Sequence, residues 1–228
     1  MRLANLKSDL VATVSHELKT LLASIRLLLD TLLQADELEP KRTREYLELM
    51  DRENTRLTQM IENFLAFSRL ERNRYNFRFD QVSASEVVDR AVEAFAERAA
   101  CITVDVASDL PPIHADPGAL STVLLNVLDN AYKYTPDEKR IDLRAFQNNG
   151  NVCFEVKDNG IGVPKSEASK VFRDFYQVDS RLARSQGGCG LGLSIVKFIV
   201  KAHKGTVSLD SRVGEGTTFK VAVPCVNS

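Results

Sequence analysis

Apolar side chains recur early in the chain at Val11, Val14, Leu18, Leu21, Ile25, Leu28 and Leu32, in alternating steps of three and four residues. That spacing keeps one stripe of a helix apolar and is the signature of a seam against another helix. A second run, Tyr46, Met50, Glu53, Leu57, Met60, Phe64 and Phe67, repeats it with one polar interruption. Between the runs, Ala35-Asp36-Glu37-Leu38-Glu39-Pro40 reads as a turn, because proline ends or opens a helix. Two long helices joined by so short a loop form an antiparallel hairpin. Leu22, Leu29, Ile61 and Leu65 widen the stripes beyond what one hairpin buries, and two hairpins pairing as a four-helix bundle would cover them. Residues 1–75 are therefore expected to be an all-α hairpin that forms a homodimer.

From about Phe77 the texture changes. Strand patterns occupy Ile102–Val106, Arg140–Phe146, Val152–Val156, Gly205–Leu209 and Thr217–Val223, and helical patterns occupy Ser85–Ala100, Pro117–Tyr132 and Leu191–Ala202. Strands mixed with helices, without strict alternation, predict an α+β two-layer sandwich over residues 76–228. The polar, weakly periodic stretch between Gly162 and Gly188 is too long for an idle loop and reads as a lid.

Composition narrows the classes. Of 228 residues 44% are hydrophobic and 27% charged, and the formal net charge is −1, so no nucleic-acid footprint or attraction to anionic membranes is expected. Cys101, Cys153, Cys189 and Cys225 stand singly, without metal-ligand spacing, which fits reduced thiols in a cytoplasm. Apolar runs are too short to span a bilayer, so any membrane attachment would come through an N-terminal region outside this chain.

Candidate chemistry lies in four places. His16 falls at position f of the first helix, opposite the seam, where a neutral imidazole could act as a nucleophile; Thr20 lies one turn on, and Glu17 is its immediate neighbour. Taken alone, His16 reads first as a solvated surface histidine. Asn126, Asn130 and Lys133 share one helical stripe, two amide oxygens and an ammonium suited to Mg²⁺ and polyphosphate, or else an ordinary polar face. Asp158 ends a strand and begins Asp158-Asn159-Gly160-Ile161-Gly162, a turn in which the carboxylate could accept from a base amino group. Gly187-Gly188-Cys189-Gly190-Leu191-Gly192 runs into a helix, whose open amides can hold an anion. His114 and His203 read as structural.

The order of these boxes, HELKT, NxxxNAxKY, DNGIGVP, VFRDFYQVD and GCGLGL, resembles the sensor histidine kinases of two-component systems over essentially the whole chain. The resemblance implies a dimerisation and histidine phosphotransfer hairpin followed by a Bergerat-type ATP-binding domain. It implies that His16 accepts the γ-phosphoryl group of ATP, that Glu17 orients the imidazole, and that Thr20 places water when a response regulator is dephosphorylated. Asn130 would coordinate Mg²⁺, Asn126 and Lys133 would contact phosphates, Tyr134 would flank the nucleotide and Asp158 would bind adenine. Gly160 and Gly162 would admit the nucleotide, while Gly188, Gly190, Leu191 and Gly192 would hold the phosphate side. Phe172 and Phe175 look like lid packing.

Three residues depart from the pattern: Leu21 replaces the usual proline after Thr20, Gln177 a common arginine, and Cys189 a common Thr or Ser. Phosphohistidine would pass its group to an aspartate on a separate receiver domain, with a hinge near Arg72–Phe77 bringing the domains together. The alternatives are an ATP-binding scaffold without phosphotransfer, which the presence of His16 and Asn130 disfavours, and an ATPase-driven clamp, which needs no acceptor histidine.

Overall fold

The computed structural model describes residues 2–34, 39–71, 76–136, 138–174, 176–178 and 190–226. The chain divides into two units, Met1–Arg72 and Asn73–Ser228. The first consists of α1 (Arg2–Gln34) and α2 (Pro40–Glu71), packed along their lengths. Pro40 stands at the start of α2, where a missing N–H costs nothing. Within the hairpin Val14, Leu21 and Met60 are buried, and Leu18, Ile25, Leu28, Leu57, Phe64 and Phe67 are half-buried. The polar interruption Glu53 is half-buried too, and Arg56 pairs with it at 3.1 Å. Leu22, Leu29, Ile61 and Leu65 remain exposed in the single chain, at 53, 36, 43 and 47%. Helix α1 runs unbroken through Leu21, which occupies the seam.

The second unit opens with β1 (Asp80–Val82), which pairs antiparallel with β3 (Ile113–Ala115) in a small separate sheet. The main sheet has the order β2-β4-β5-β7-β6, from β2 (Ile102–Val106), β4 (Ile141–Asn148), β5 (Asn151–Asp158), β6 (Thr206–Arg212) and β7 (Gly216–Pro224). Only β2 and β4 run parallel; the other neighbours are antiparallel. Among the described residues three helices form the second layer: α3 (Ala84–Ala94), α4 (Pro117–Tyr134) and α5 (Gly192–Ala202).

Alternation explains the layering. Ile141, Leu143 and Ala145 of β4 are buried while Asp142 and Arg144 are exposed, so one sheet face takes the helices and the other takes solvent. Ser83 caps α3 through the Glu86 N–H, and Asp116 caps α4 through the Ala119 N–H with Pro117 in the first turn.

The expected helix over Ser85–Ala100 is shorter than its pattern. Phe95 leaves the helical region (φ −99°, ψ 7°), its N–H turns to the Val92 carbonyl, and the chain tightens into a 3-10 turn over Ala96–Cys101. The strands β1 and β3 carry too few residues to show a period, and the sequence reading missed both.

Candidate functional site

On the hairpin, His16 is exposed midway along α1 with the seam residues Val14 and Leu21 on either side in sequence. The Thr20 hydroxyl donates to the His16 backbone carbonyl at 3.0 Å, so it stands one turn from the imidazole on the same exposed face. The side chain of Glu17 lies outside the described residues.

In the second unit the predicted residues gather along α4. Asn126 is 6% exposed; its amide nitrogen donates to the Thr122 carbonyl at 2.9 Å, and its Oδ1 faces the first residue of α5. A Cβ on Gly192 would come within 2.7 Å of that oxygen, so only glycine allows α5 to begin there. Two turns further on, the Tyr134 carbonyl accepts from the Ile161 N–H at 3.1 Å, joining α4 to the turn after β5. Asn130 lies halfway between these junctions. The stripe Asn126, Asn130, Tyr134 thus spans about 12 Å, with the start of α5 at one end and Asp158 at the other.

Asp158 is 6% exposed, and its Oδ1 accepts from the Gly160 N–H at 2.8 Å and the Thr217 N–H at 3.1 Å. Burial pushes its carboxyl up from the usual carboxylate range, against the pull of those two amides. With Oδ1 fixed in this way, Oδ2 is left without a protein partner among the described residues, a ready acceptor for a ligand N–H. Tyr134 is half-buried, and burial raises its phenol. Its ring carries the Lys133 ammonium at 5.1 Å from the centroid.

The supports of Asp158 escaped the sequence reading. Thr217 and Ser211 belong to other strands, distant in sequence. The Ser211 hydroxyl accepts from the Val163 N–H at 2.7 Å and donates to the Gly216 carbonyl at 2.9 Å, pinning the segment after the turn. Gly162 has φ +69°, and a Cβ there would collide with the Arg212 carbonyl, so the room left by this glycine is filled by β6. Asp129, beside Asn130, was also missed. It pairs with Arg98 at 3.0 Å, yet burial pushes it up to about 6, with Arg98 and Lys133 pulling the other way.

The segment read as a lid forms successive turns from Pro164 to Arg173. Val171 is buried and the Phe172 ring lies 6.4 Å from that of Phe219, a packing role as expected. Gln177 is exposed. Phe175, Gly188 and Cys189 lie outside the described residues. Gly190 precedes α5 with φ +66°, and Leu191 is its fully buried N-cap with no side-chain cap on the first amides.

The donor set fits a magnesium nucleotide. Among the described residues no cluster of three His, Cys, Asp or Glu could hold an ion by itself, and Mg²⁺ characteristically takes one or two protein oxygens and completes its shell with phosphate and water. Asn130 is half-buried, and no hydrogen bond fixes its amide among the described residues. No described helix is long and apolar enough to cross a membrane. His203 is 3% exposed and hydrogen-bonded through both nitrogens, a structural histidine as expected; His114 lies exposed in β3, stacked 5.5 Å from Phe79.

Comparison with known proteins accords with this geometry. Residues 6–73 match the family described as His Kinase A (phospho-acceptor) domain, and residues 115–227 match the histidine kinase-, DNA gyrase B-, and HSP90-like ATPase family. The chain is 33% identical over 226 residues to the sensor-like histidine kinase SenX3 of Mycolicibacterium smegmatis, covering 98% of this chain and 59% of that protein. Among solved structures it resembles the mycobacterial sensor histidine kinase MprB (31% identity, TM-score 0.57, 66% of this chain and all of that one). It also resembles full-length ShkA in complex with AMPPNP (27% identity, TM-score 0.66, 97% of this chain and 46% of that one). The chain thus spans about half the length of these longer relatives.

Proposed function

The chain belongs to the sensor histidine kinases, and from that membership we propose that it moves the γ-phosphoryl group of ATP to His16 and on to an aspartate of a response-regulator receiver domain. The observation that carries the reading is a pairing: an exposed imidazole within the phospho-acceptor stretch, and within the ATPase stretch a buried Asp158 whose Oδ2 has no protein partner among the described residues. An ATP-binding scaffold needs the second feature and has no use for the first.

Each residue has a part. Asp158 Oδ2 accepts from the adenine amino group, a contact that a competing base lacking that donor leaves unsatisfied. Tyr134 flanks the nucleotide, and Gly160 and Gly162 shape the turn beside it. Asn126 and Lys133 hold phosphate oxygens, and the amides at Gly190, Leu191 and Gly192 receive the rest of the charge, with Gly188 on the lid side. Asn130 holds Mg²⁺, which neutralises charge on the polyphosphate. His16 attacks the γ-phosphorus through an imidazole nitrogen, a nitrogen–phosphorus bond forms, and the bond to the bridging oxygen of the departing ADP breaks. Glu17 orients the ring and takes up its proton. Thr20 releases its bond to the His16 carbonyl and places water when the receiver is dephosphorylated.

Dimerisation through residues 1–75 covers the exposed Leu22, Leu29, Ile61 and Leu65. The reaction draws on cytoplasmic ATP, so the chain acts in the cytoplasm, with any membrane anchor supplied from outside it. The test is His16→Ala with labelled ATP. The variant should lose stable self-labelling and keep nucleotide affinity, since the acceptor and Asp158 belong to different units. Persistent acid-labile label would overturn the reading.

A further inference from the structure

Residues 76–79 are where the chain coming from the hairpin enters the second unit, and they meet one side chain that serves several partners. The Arg78 N–H donates to Asp116 Oδ2 at 2.9 Å, while Asp116 Oδ1 caps α4 through the Ala119 N–H at 2.9 Å. The Asp116 backbone N–H donates in turn to His203 Nε2 at 3.0 Å, and His203 Nδ1 lies 2.8 Å from the Ile199 carbonyl in the last turn of α5. One neighbour can only donate and the other only accept, which fixes a neutral imidazole with its proton on Nδ1. Aromatic rings close the cluster: Phe77 meets His203 edge-on at 5.4 Å and stacks on Phe198 at 6.3 Å, and Phe79 lies 4.9 Å from His203.

The same two helices carry the nucleotide-site residues further along. Asp116 at the start of α4 joins His203 just past the end of α5, and Asn126 midway along α4 faces Gly192 at the start of α5, so the helices run antiparallel. Capping α4 requires only Asp116 Oδ1. Its Oδ2 and its N–H are engaged by the entering segment and by α5, duties beyond the cap.

We propose that Asp116 and His203 are positioning residues that clamp the entry segment 76–79 to both helices of the nucleotide site, coupling the direction in which the chain enters this domain to the presentation of the phosphates to His16. Packed helices move as stiff bodies, so a shift at the clamp reaches Asn126 and Gly192. The inference rests on the kinase activity proposed above.

The experiment compares His203→Leu, His203→Gln and the double variant Phe77→Ala/Phe79→Ala in the full chain. It measures the rate of His16 labelling against ATP concentration, and AMPPNP affinity with Mg²⁺ by calorimetry. Loss of the clamp should lower kcat by about five-fold or more, the scale of ordinary coupling energies, with KM and AMPPNP affinity unchanged. Glutamine, which can still accept from the Asp116 N–H, should recover the rate; leucine should not. If His203→Leu fails to fold, the Phe77/Phe79 variant, which leaves the α4–α5 bond intact, decides. Wild-type rates in His203→Leu and in Phe77→Ala/Phe79→Ala overturn the inference, as does a joint fall of kcat and affinity that glutamine does not rescue. An unlabelled wild type overturns the kinase reading and this inference with it, whereas a labelled wild type with unaffected variants removes this inference alone.

Discussion

Leu21→Pro tests how the path of α1 sets the behaviour of His16. Leu21 is 7% exposed and lies in the interior of a helix of 33 residues. Proline removes its N–H, so the Glu17 carbonyl loses its helical partner, and the ring presses on that carbonyl; this costs about 3 kcal/mol. The ring also fills the seam less well than leucine, adding roughly 1 kcal/mol for a lost methylene or so. The sum of about 4 kcal/mol is a large part of the stability of a unit this small, and at roughly 4–8 °C per kcal/mol its melting temperature should fall by about 15 °C or more. Bending is expected one turn below His16, changing how the imidazole is offered to the ATP-binding domains. Calorimetry on the full chain, with rates of self-labelling and of receiver dephosphorylation, gives stability and the ratio of the two activities. The account predicts lower stability together with a changed ratio. Lower stability with an unchanged ratio would mean that residue 21 matters for packing alone, and an unchanged melting temperature would refute the helix argument itself.

Asn130→Asp should cripple self-labelling by disturbing the metal and phosphate arrangement while leaving the dimer intact; labelling at the wild-type rate would remove Asn130 from the metal site. Residues 1–75 should sediment as a dimer and residues 76–228 as a monomer, and the opposite pattern would contradict the assignment of the exposed leucines. His203 supplies a pH test. Burial lowers its pKa below the usual 6.5, with the Ile199 carbonyl and Asp116 pulling it up and His114 adding to the lowering. The neutral form that accepts from the Asp116 N–H therefore contributes stability that is full above pH 6.5 and is lost as pH falls through the folded-state value. Melting curves across that window should show this loss in the wild type and a weaker dependence in His203→Gln; equal slopes would contradict it.

The hairpin was legible because its period is local. Every described seam position from Val14 to Phe67 is buried or half-buried, and the four widening residues are exposed, as are Leu27, Leu33, Leu47 and Leu49, which the pattern did not single out. The motif residues were legible through resemblance, since spacing alone left His16 and the α4 stripe ambiguous. What stayed hidden comes from contacts between distant parts of the sequence. Thr217 reaches Asp158 across 59 residues, and His203 reaches Asp116 across 87. The sequence reading had His203 as structural without a partner, and tertiary packing supplies one by burying it as an acceptor for the Asp116 N–H. Gly162 was expected to make room for a nucleotide, yet its nearest neighbour is the Arg212 carbonyl, which only the sheet register brings there.

If ATP phosphorylates a histidine in this chain, the bond formed is a phosphoramidate, whose stability to acid and alkali differs from that of a phosphate ester. After incubation with γ-labelled ATP and Mg²⁺, the labelled protein is divided between acid and alkali. The label is expected to survive alkali, to be lost in acid and to map to the peptide containing His16. Label that resists acid, or that maps elsewhere, would contradict it.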